Sequence, residues 1–436
     1  MQMTNRYSEY KDSGIEWVGQ IPKHWIVKPL FSITKLTSVS ECEDKELLSV
    51  YLDKGVIKFS DVNEKRTNAT SEDLSKYQLV MPGNLVLNNQ QAWRGSVGVS
   101  KFEGIVSPAY IVLELSNEID PIYANYIFRD SSMVSFYLIS SKGVGTIQRN
   151  LYWPQLKRAI IAIPPLPEQT AIAAFLDRKT ALIDKAIAIK QKQIELLKER
   201  RQILIQRAVT RGLNPNAKMK DSGVEWIGEI PEGWEVKKLR YLATSFPSNI
   251  DKHSKPNEKK VRLCNYTDVY KNDYITDDME LMIATASAEQ IAKYTLLEGD
   301  IVITKDSETA SDIAVPTYIK EKLTNVVCGY HLAIIRTYQK SYSKYLFHAL
   351  KTKLFNAQFE VCSNGITRVG LGNSDLKNGY FLFPTEFEQI KISEFIEDGT
   401  SKIATAISLK EQDIEKIKEY KATLINEVVT GKVKVC

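Results

Sequence analysis

Few side chains in this sequence of 436 residues are spaced for covalent chemistry. Asp251, Glu258 and Lys260 offer a loose nuclease-like set, two carboxylates for a metal and a lysine for a phosphate. They sit in IDKHSKPNEKK, whose composition is that of a solvated loop. No GxxxxGK[ST] phosphate loop and no GxGxxG turn is present; Gly370 and Gly372 supply only two glycines of such a pattern. No [DN]PP[FYW] tetrapeptide of an amino-methyltransferase occurs, the PP at 164–165 lying in IPPL. The four histidines (His24, His253, His331, His348) are scattered and read as surface or core residues, so no metal site is expected. The five cysteines are odd in number, widely spaced and without a CxxC pair, which fits a reducing cytoplasm and no disulfide framework. No Ser/His/Asp or Cys/His set stands out. The chain reads as a binding protein.

Charge and hydropathy agree. Lys and Arg number 58 against 53 Asp and Glu, a net charge of +5, which permits nucleic-acid binding without demanding it. No apolar run approaches the ~18 residues of a membrane helix, and the polar opening MQMTNRYSEYKDSG lacks the apolar core of a signal peptide.

The elements that must position any site come in two copies. KDSGIEWVGQIPKHWIVKPL (11–30) matches KDSGVEWIGEIPEGWEVKKL (220–239) at 13 of 20 positions without a gap, Trp17/Trp226 and Trp25/Trp234 included. Residues 164–210 match 384–430 at a constant offset of 220, with 18 identities in 47. Between these blocks the similarity fades: Tyr51 and Asp53 match Tyr266 and Asp268, Gly83 matches Gly299, and Tyr110 matches Tyr330. Six segments follow: a shared opening at 1–25, a divergent domain at 26–160, a helical close at 161–212, a linker and repeated opening at 213–234, a second divergent domain at 235–383, and a second close at 384–436.

The divergent domains read as mixed α/β. Strand-like runs at 84–89, 104–115, 300–305 and 326–337 are bounded by Gly, Pro and Asn, and helical stretches near 121–139 and 341–359 follow them. The closes read as long helices. Pro167 and Glu168 suit a helix start, and no Pro or Gly intervenes before Thr210, about 43 residues or ~65 Å. A seam alternating steps of three and four runs Leu176, Thr180, Ile183, Ile187, Lys190, Ile194, Leu197, Arg201, Leu204, Ala208, and the second copy keeps that register from Ile396 to Val428. Lys190 and Lys410 intrude at equivalent seam positions, either to fix register or to snorkel at an exposed stretch. Two matched helices from two matched halves are expected to pack antiparallel in a pseudo-twofold duplication, with the α/β (α+β) domains at opposite ends.

With order, duplication and motifs in view, SGIEWVGQIPKHW with its copy SGVEWIGEIPEGW, and IAIPPLPEQTAIAAFLD with FLFPTEFEQIKISEFIE, resemble the opening and helical regions of specificity (S) subunits of Type I restriction–modification enzymes. The second copy departs at Phe387 and Thr385, where the first has Pro167 and Pro165. The resemblance covers the whole chain. It implies a non-catalytic, cytoplasmic subunit whose two recognition domains each read one half of an asymmetric, bipartite DNA target. The helices would set the spacer and dock two methyltransferase (M) subunits, which bring S-adenosylmethionine and methylate adenine N6. Restriction (R) subunits would bring ATP- and Mg2+-dependent translocation and cleavage. No cofactor is expected on this chain. A fused nuclease or methyltransferase, and a scaffold that does not bind DNA, are the alternatives; the missing motifs argue against the first.

Base reading calls for amides and guanidiniums, and phosphate gripping for Lys and Arg. In NNQQAWRGS, Asn88, Asn89, Gln90 and Gln91 suit adenine, Arg94 suits guanine, and Trp93 could pack on DNA or anchor the loop. The matching second loop, TKDSETASD, offers Lys305 to a phosphate, Ser307 and Thr309 as donors or acceptors, and Asp306 or Glu308 to cytosine N4. A second loop precedes each close. Lys142, Thr146, Gln148 and Arg149 project donors in one copy, Asn364, Thr367 and Arg368 in the other, with His331 beside Tyr330 as an extra candidate. The opening tryptophans read as anchors of each domain on the helical frame. The first helix is basic, with ten cations to five anions over 168–212, but the second has seven to nine over 388–432, which favours protein docking over a DNA grip along both.

Overall fold

A computed structural model describes residues 6–14, 18–52, 54–61, 73–144 and 148–435; Trp17, Asp53 and Thr146 lie outside the described residues. The chain divides into two compact units, Met1–Gln191 with Glu411–Cys436, and Lys192–Lys410.

In the first unit the opening forms a hairpin, Tyr10–Asp12 against Gln20–Pro22. Ile26–Pro29 then pairs antiparallel with Ile160–Ile163 and so brings the two ends of the divergent domain together. That domain is built on Thr34–Thr37 (β1), Leu85–Asn88 (β2), Val97–Val99 (β3) and Tyr110–Leu115 (β4), in spatial order β1-β4-β2-β3 and antiparallel throughout. The run 104–115 is interrupted because Pro108 has no N–H to give a ladder; its first part, Gly104–Val106, pairs with Gln78–Val80 instead. The helical stretch is two helices, Pro121–Arg129 (α1) and Ser131–Ile139 (α2). Asp120 caps α1, accepting from the Ile122 and Tyr123 amides with Pro121 in the first turn, and Asp130 ends α1 and caps α2 through the Ser132 amide. The close is one helix, Leu166–Arg211 (α3).

The second unit repeats this plan. Ala243–Pro247 (β5), Tyr274–Ile275 (β6), Ile301–Thr304 (β7), Pro316–Ile319 (β8) and Leu332–Thr337 (β9) take the spatial order β5-β9-β7-β8-β6. Its first four positions reproduce the order of the first unit, so topology survives where sequence similarity has faded. A further sheet sets Lys259–Cys264 between Met282–Ala286 and Val326–Cys328. The run 326–337 is thus two strands, parted at Gly329–His331, where His331 takes a left-handed φ of 71°. Lys340–Leu350 (α4) and Lys353–Cys362 (α5) follow, the second capped by Thr352. The second close is Glu386–Val429 (α6). It starts cleanly without the proline of the first copy, because the Glu388 amide donates to the Thr385 hydroxyl while the Thr385 amide donates to the Glu388 carboxylate, a reciprocal cap across the first turn.

The seam is as the spacing predicts: all ten α3 positions are buried or half-buried, with mostly exposed neighbours between them. In the first unit Lys421 donates to Asp184 at 2.6 Å and Lys190 to Asp413 at 2.8 Å. In the second, Lys410 donates to Gln193 at 2.7 Å, and a Cβ on Gly399 would meet the Leu204 side chain at 2.8 Å. In each unit numbers rise on one helix as they fall on the other, so the segments pair antiparallel. Among the described residues no helix is long and apolar enough to cross a membrane.

Candidate nucleic-acid interface

Each domain is fixed to its helix by the same joint. Trp25 is fully buried, and its indole N–H donates to Glu168 at the start of α3 at 3.0 Å; Trp234, also buried, donates to Glu388 at the start of α6 at 3.0 Å. Tyr7 and His24 add bonds to Glu168 of 2.5 and 2.7 Å. Burial opposes ionisation of Glu168, but these donors outweigh it and hold the carboxyl below its ordinary range. The far ends match as well. Gly212 and Gly431 leave the helices with φ near 70°, and a side chain at either would press on Trp234 or on Pro22 and Trp25. Buried Trp25 and Trp234 are therefore frame residues, whereas Trp226 is 38% exposed and meets Phe355 edge-on.

The two candidate loops of each domain come together, and by one backbone contact used twice. Leu151 N–H donates to the Asn89 carbonyl at 3.1 Å, and its counterpart Leu371 N–H donates to the Lys305 carbonyl at 2.9 Å. On this shared joint the side chains differ.

In the first domain Trp93 is the hub. Its indole N–H is spent on the Gln90 carbonyl at 3.0 Å, and the Arg94 and Arg149 guanidiniums lie 4.6 and 5.7 Å from its ring. Arg149 reaches it from a hairpin, Ser141–Val144 against Gln148–Leu151, on which Lys142 sits over the Tyr152 ring at 3.9 Å. Asn88 turns inward, accepting from the Gln90 amide and donating to the Tyr110 hydroxyl at 3.4 Å. Gln90 is exposed and Gln91 half-buried. The Asn89 Oδ1 is buried without a hydrogen-bond partner. Gln148 has its backbone in the hairpin, and Thr146 lies outside the described residues.

In the second domain Lys305, Asp306, His331 and Arg368 form one chain of contacts. Lys305 Nζ lies 2.9 Å from Asp306 Oδ1, His331 Nδ1 2.9 Å from Asp306 Oδ2, and Arg368 Nη1 2.9 Å from His331 Nε2. Burial opposes ionisation of Asp306, but Lys305 and His331 overcome it and keep the carboxyl below its usual range. Asp306 therefore already serves two partners within the protein. Ser307 is buried and bonds the Tyr266 hydroxyl at 3.0 Å, so it does not face solvent. Glu308 and Thr309 are exposed, Thr309 donating to Asp312 at 2.7 Å. Asn364, Thr367 and Arg368 are exposed on the second loop.

One feature escaped the sequence reading. Tyr266 and Tyr270 stack at 5.7 Å beside this cluster, Tyr270 bonding Asp312 at 3.2 Å. Their i,i+4 spacing on the helix Tyr266–Lys271 was the available signal. The nuclease-like set does not assemble into a metal site: Asp251 holds the His253 amide and Glu258 accepts from Thr285. Among the described residues no cluster suits a metal ion.

A family model described as Type I restriction modification DNA specificity domain matches residues 22–199 and again 231–419. The chain is 24% identical over 382 residues to the MjaVIII type I restriction enzyme specificity subunit of Methanocaldococcus jannaschii, covering 83% of each chain. It is 21% identical over 405 residues to the EcoKI specificity subunit of Escherichia coli K12, covering 87% of this chain and 82% of that one. A solved structure from work on complex assembly and conformational transition of the type I R-M system shares its fold, with a TM-score of 0.68 at 13% identity over 94% of this chain and 98% of the other.

Proposed function

This chain belongs to the Type I restriction modification DNA specificity family and is a specificity subunit with two DNA specificity domains, and from that premise we propose that each domain reads one half of an asymmetric, split double-stranded target. The observation that carries the reading is the pair of loop clusters built on one repeated backbone joint with different side chains: Trp93, Arg94 and Arg149 in one, Lys305, His331 and Arg368 in the other. Two copies of one reader would favour a palindrome; two different readers favour unlike half-sites. The paired helices set the spacer between them and dock two methyltransferase subunits in the cytoplasm. Those subunits bind S-adenosylmethionine and methylate adenine N6, and restriction subunits use ATP and Mg2+. This chain supplies recognition and assembly, and binds none of those cofactors.

The test is expression of the chain with its methyltransferase subunits, followed by genome-wide mapping of N6-methyladenine. One split motif is expected. Exchanging residues 26–150 for another recognition domain should change one half of it, and altering helix length should change the spacer. An active methyltransferase that marks no new motif overturns the reading.

A further inference from the structure

The chain Asp306–His331–Arg368 has a fixed proton order. A guanidinium carries only donors, so the Arg368 Nη1 contact makes His331 Nε2 an acceptor. The imidazole proton then sits on Nδ1 and is donated to Asp306 Oδ2. Asp306 is held from its other side by Lys305, and Gly370 leaves it room: a Cβ there would stand 2.9 Å from Asp306 Oδ1 and push the carboxylate aside. His331 is meanwhile held at a left-handed φ of 71°, a conformation that favours glycine and that bulky residues keep only where their surroundings impose it. Its ring lies against Tyr330, 4.2 Å between centroids. Strain, a glycine cleared for a carboxylate and a matched proton order all converge on one exposed guanidinium.

We infer that Arg368 is a specificity-determining residue of the second half-site that reads a guanine, and that Asp306 and His331 are positioning residues that aim it. The inference rests on the second domain being a DNA half-site reader. A guanidinium tethered through one nitrogen keeps its other N–H groups for the O6 and N7 acceptors of guanine in the major groove.

The test uses the full chain complexed with its methyltransferase subunits, and duplex oligonucleotides carrying the mapped motif or single-base-pair changes in it. Exchange of residues 235–383 first identifies the second half. Arg368→Ala should lower discrimination at one G·C pair of that half by about 10- to 100-fold, and Arg368→Lys, which lacks the planar fork, by less, leaving the first half unchanged as the internal measure of folding. Asp306→Ala and His331→Leu should weaken the same position less. His331→Gln, whose amide oxygen can replace Nε2 as acceptor, should restore it. Affinity that falls alike for every base pair in Arg368→Ala, with discrimination kept, would make Arg368 a mere phosphate grip and overturn the inference. So would an unaltered second half in Arg368→Ala when the 235–383 exchange does change the motif. An exchange that leaves the motif unchanged would instead overturn the half-site reading itself.

Discussion

Lys190 donates to Asp413 across the helix pair of the first unit, whereas its repeat counterpart Lys410 donates to Gln193, the counterpart of Asp413, in the second. One repeated contact is thus an ion pair in one copy and an ammonium-to-amide hydrogen bond in the other. Gln193→Asp should convert the second into an ion pair. With both lysines partly exposed, the expected gain is about 0.2–1 kcal/mol, shrinking as salt is raised; denaturant titrations at two salt concentrations check it. Replacing both lysines by leucine should raise the melting temperature yet admit other pairings, visible as mixed species in size-exclusion chromatography with light scattering.

The tryptophan–glutamate joints should govern stability and not target choice. Trp234→Phe keeps the buried ring but strands the Glu388 carboxylate without its indole donor. The expected loss is about 1–3 kcal/mol in chemical denaturation, with the methylated motif unchanged. A motif altered in its second half would show that Trp234 takes part in reading.

His348 gives the second unit an acid limb. It is 3% exposed, neither ring nitrogen has a partner, and burial pushes its pKa down to about 3. The folded value lies below the unfolded value of about 6.5, so the unfolded chain binds the extra proton. Stability is whole above about pH 6.5 and falls as pH drops toward the folded value, by about 2 kcal/mol at pH 5. Nearby Asp273, which burial would raise but Lys351 and Arg201 hold below the carboxyl range, loses its contribution only at lower pH, below about 4. His348→Leu should flatten the stability profile between pH 7 and 5, as measured by denaturant midpoint against pH.

Trp93 should act on the first half-site alone. Trp93→Ala removes the surface on which Arg94 and Arg149 rest, and about a tenfold loss of affinity is expected for the intact target, recovered in Trp93→Phe. Arg149→Ala should reduce the slope of log affinity against log salt by about one. An unchanged slope would remove Arg149 from the phosphate contacts.

The repeated frame was legible in the sequence because its signals are strong and local: tryptophans at fixed offset, and a seam kept in register over the whole length of both closes. The breaks in the two strand runs were less so. Pro108 was visible as an obstacle, but the left-handed turn at His331 carries no glycine to announce it. The pairing of Asp306, His331 and Arg368 was not legible at all. These residues are brought together by β7 meeting β9 and by the antiparallel contact of Asp306–Ser307 with Val369–Gly370, and such long-range pairings leave no mark in local spacing. Ser307 shows the same limit: its type suits a base edge, and the fold turns it inward to Tyr266.

The first unit takes its last core residues, Val428 and Val429, from the end of α6, while the second is drawn entirely from Lys192–Lys410. Domains commonly fold as units in the order in which the ribosome delivers them. Here the order inverts. The half translated second has all its parts first, and the half translated first waits, its core open, for residues made some four hundred codons after its opening strand.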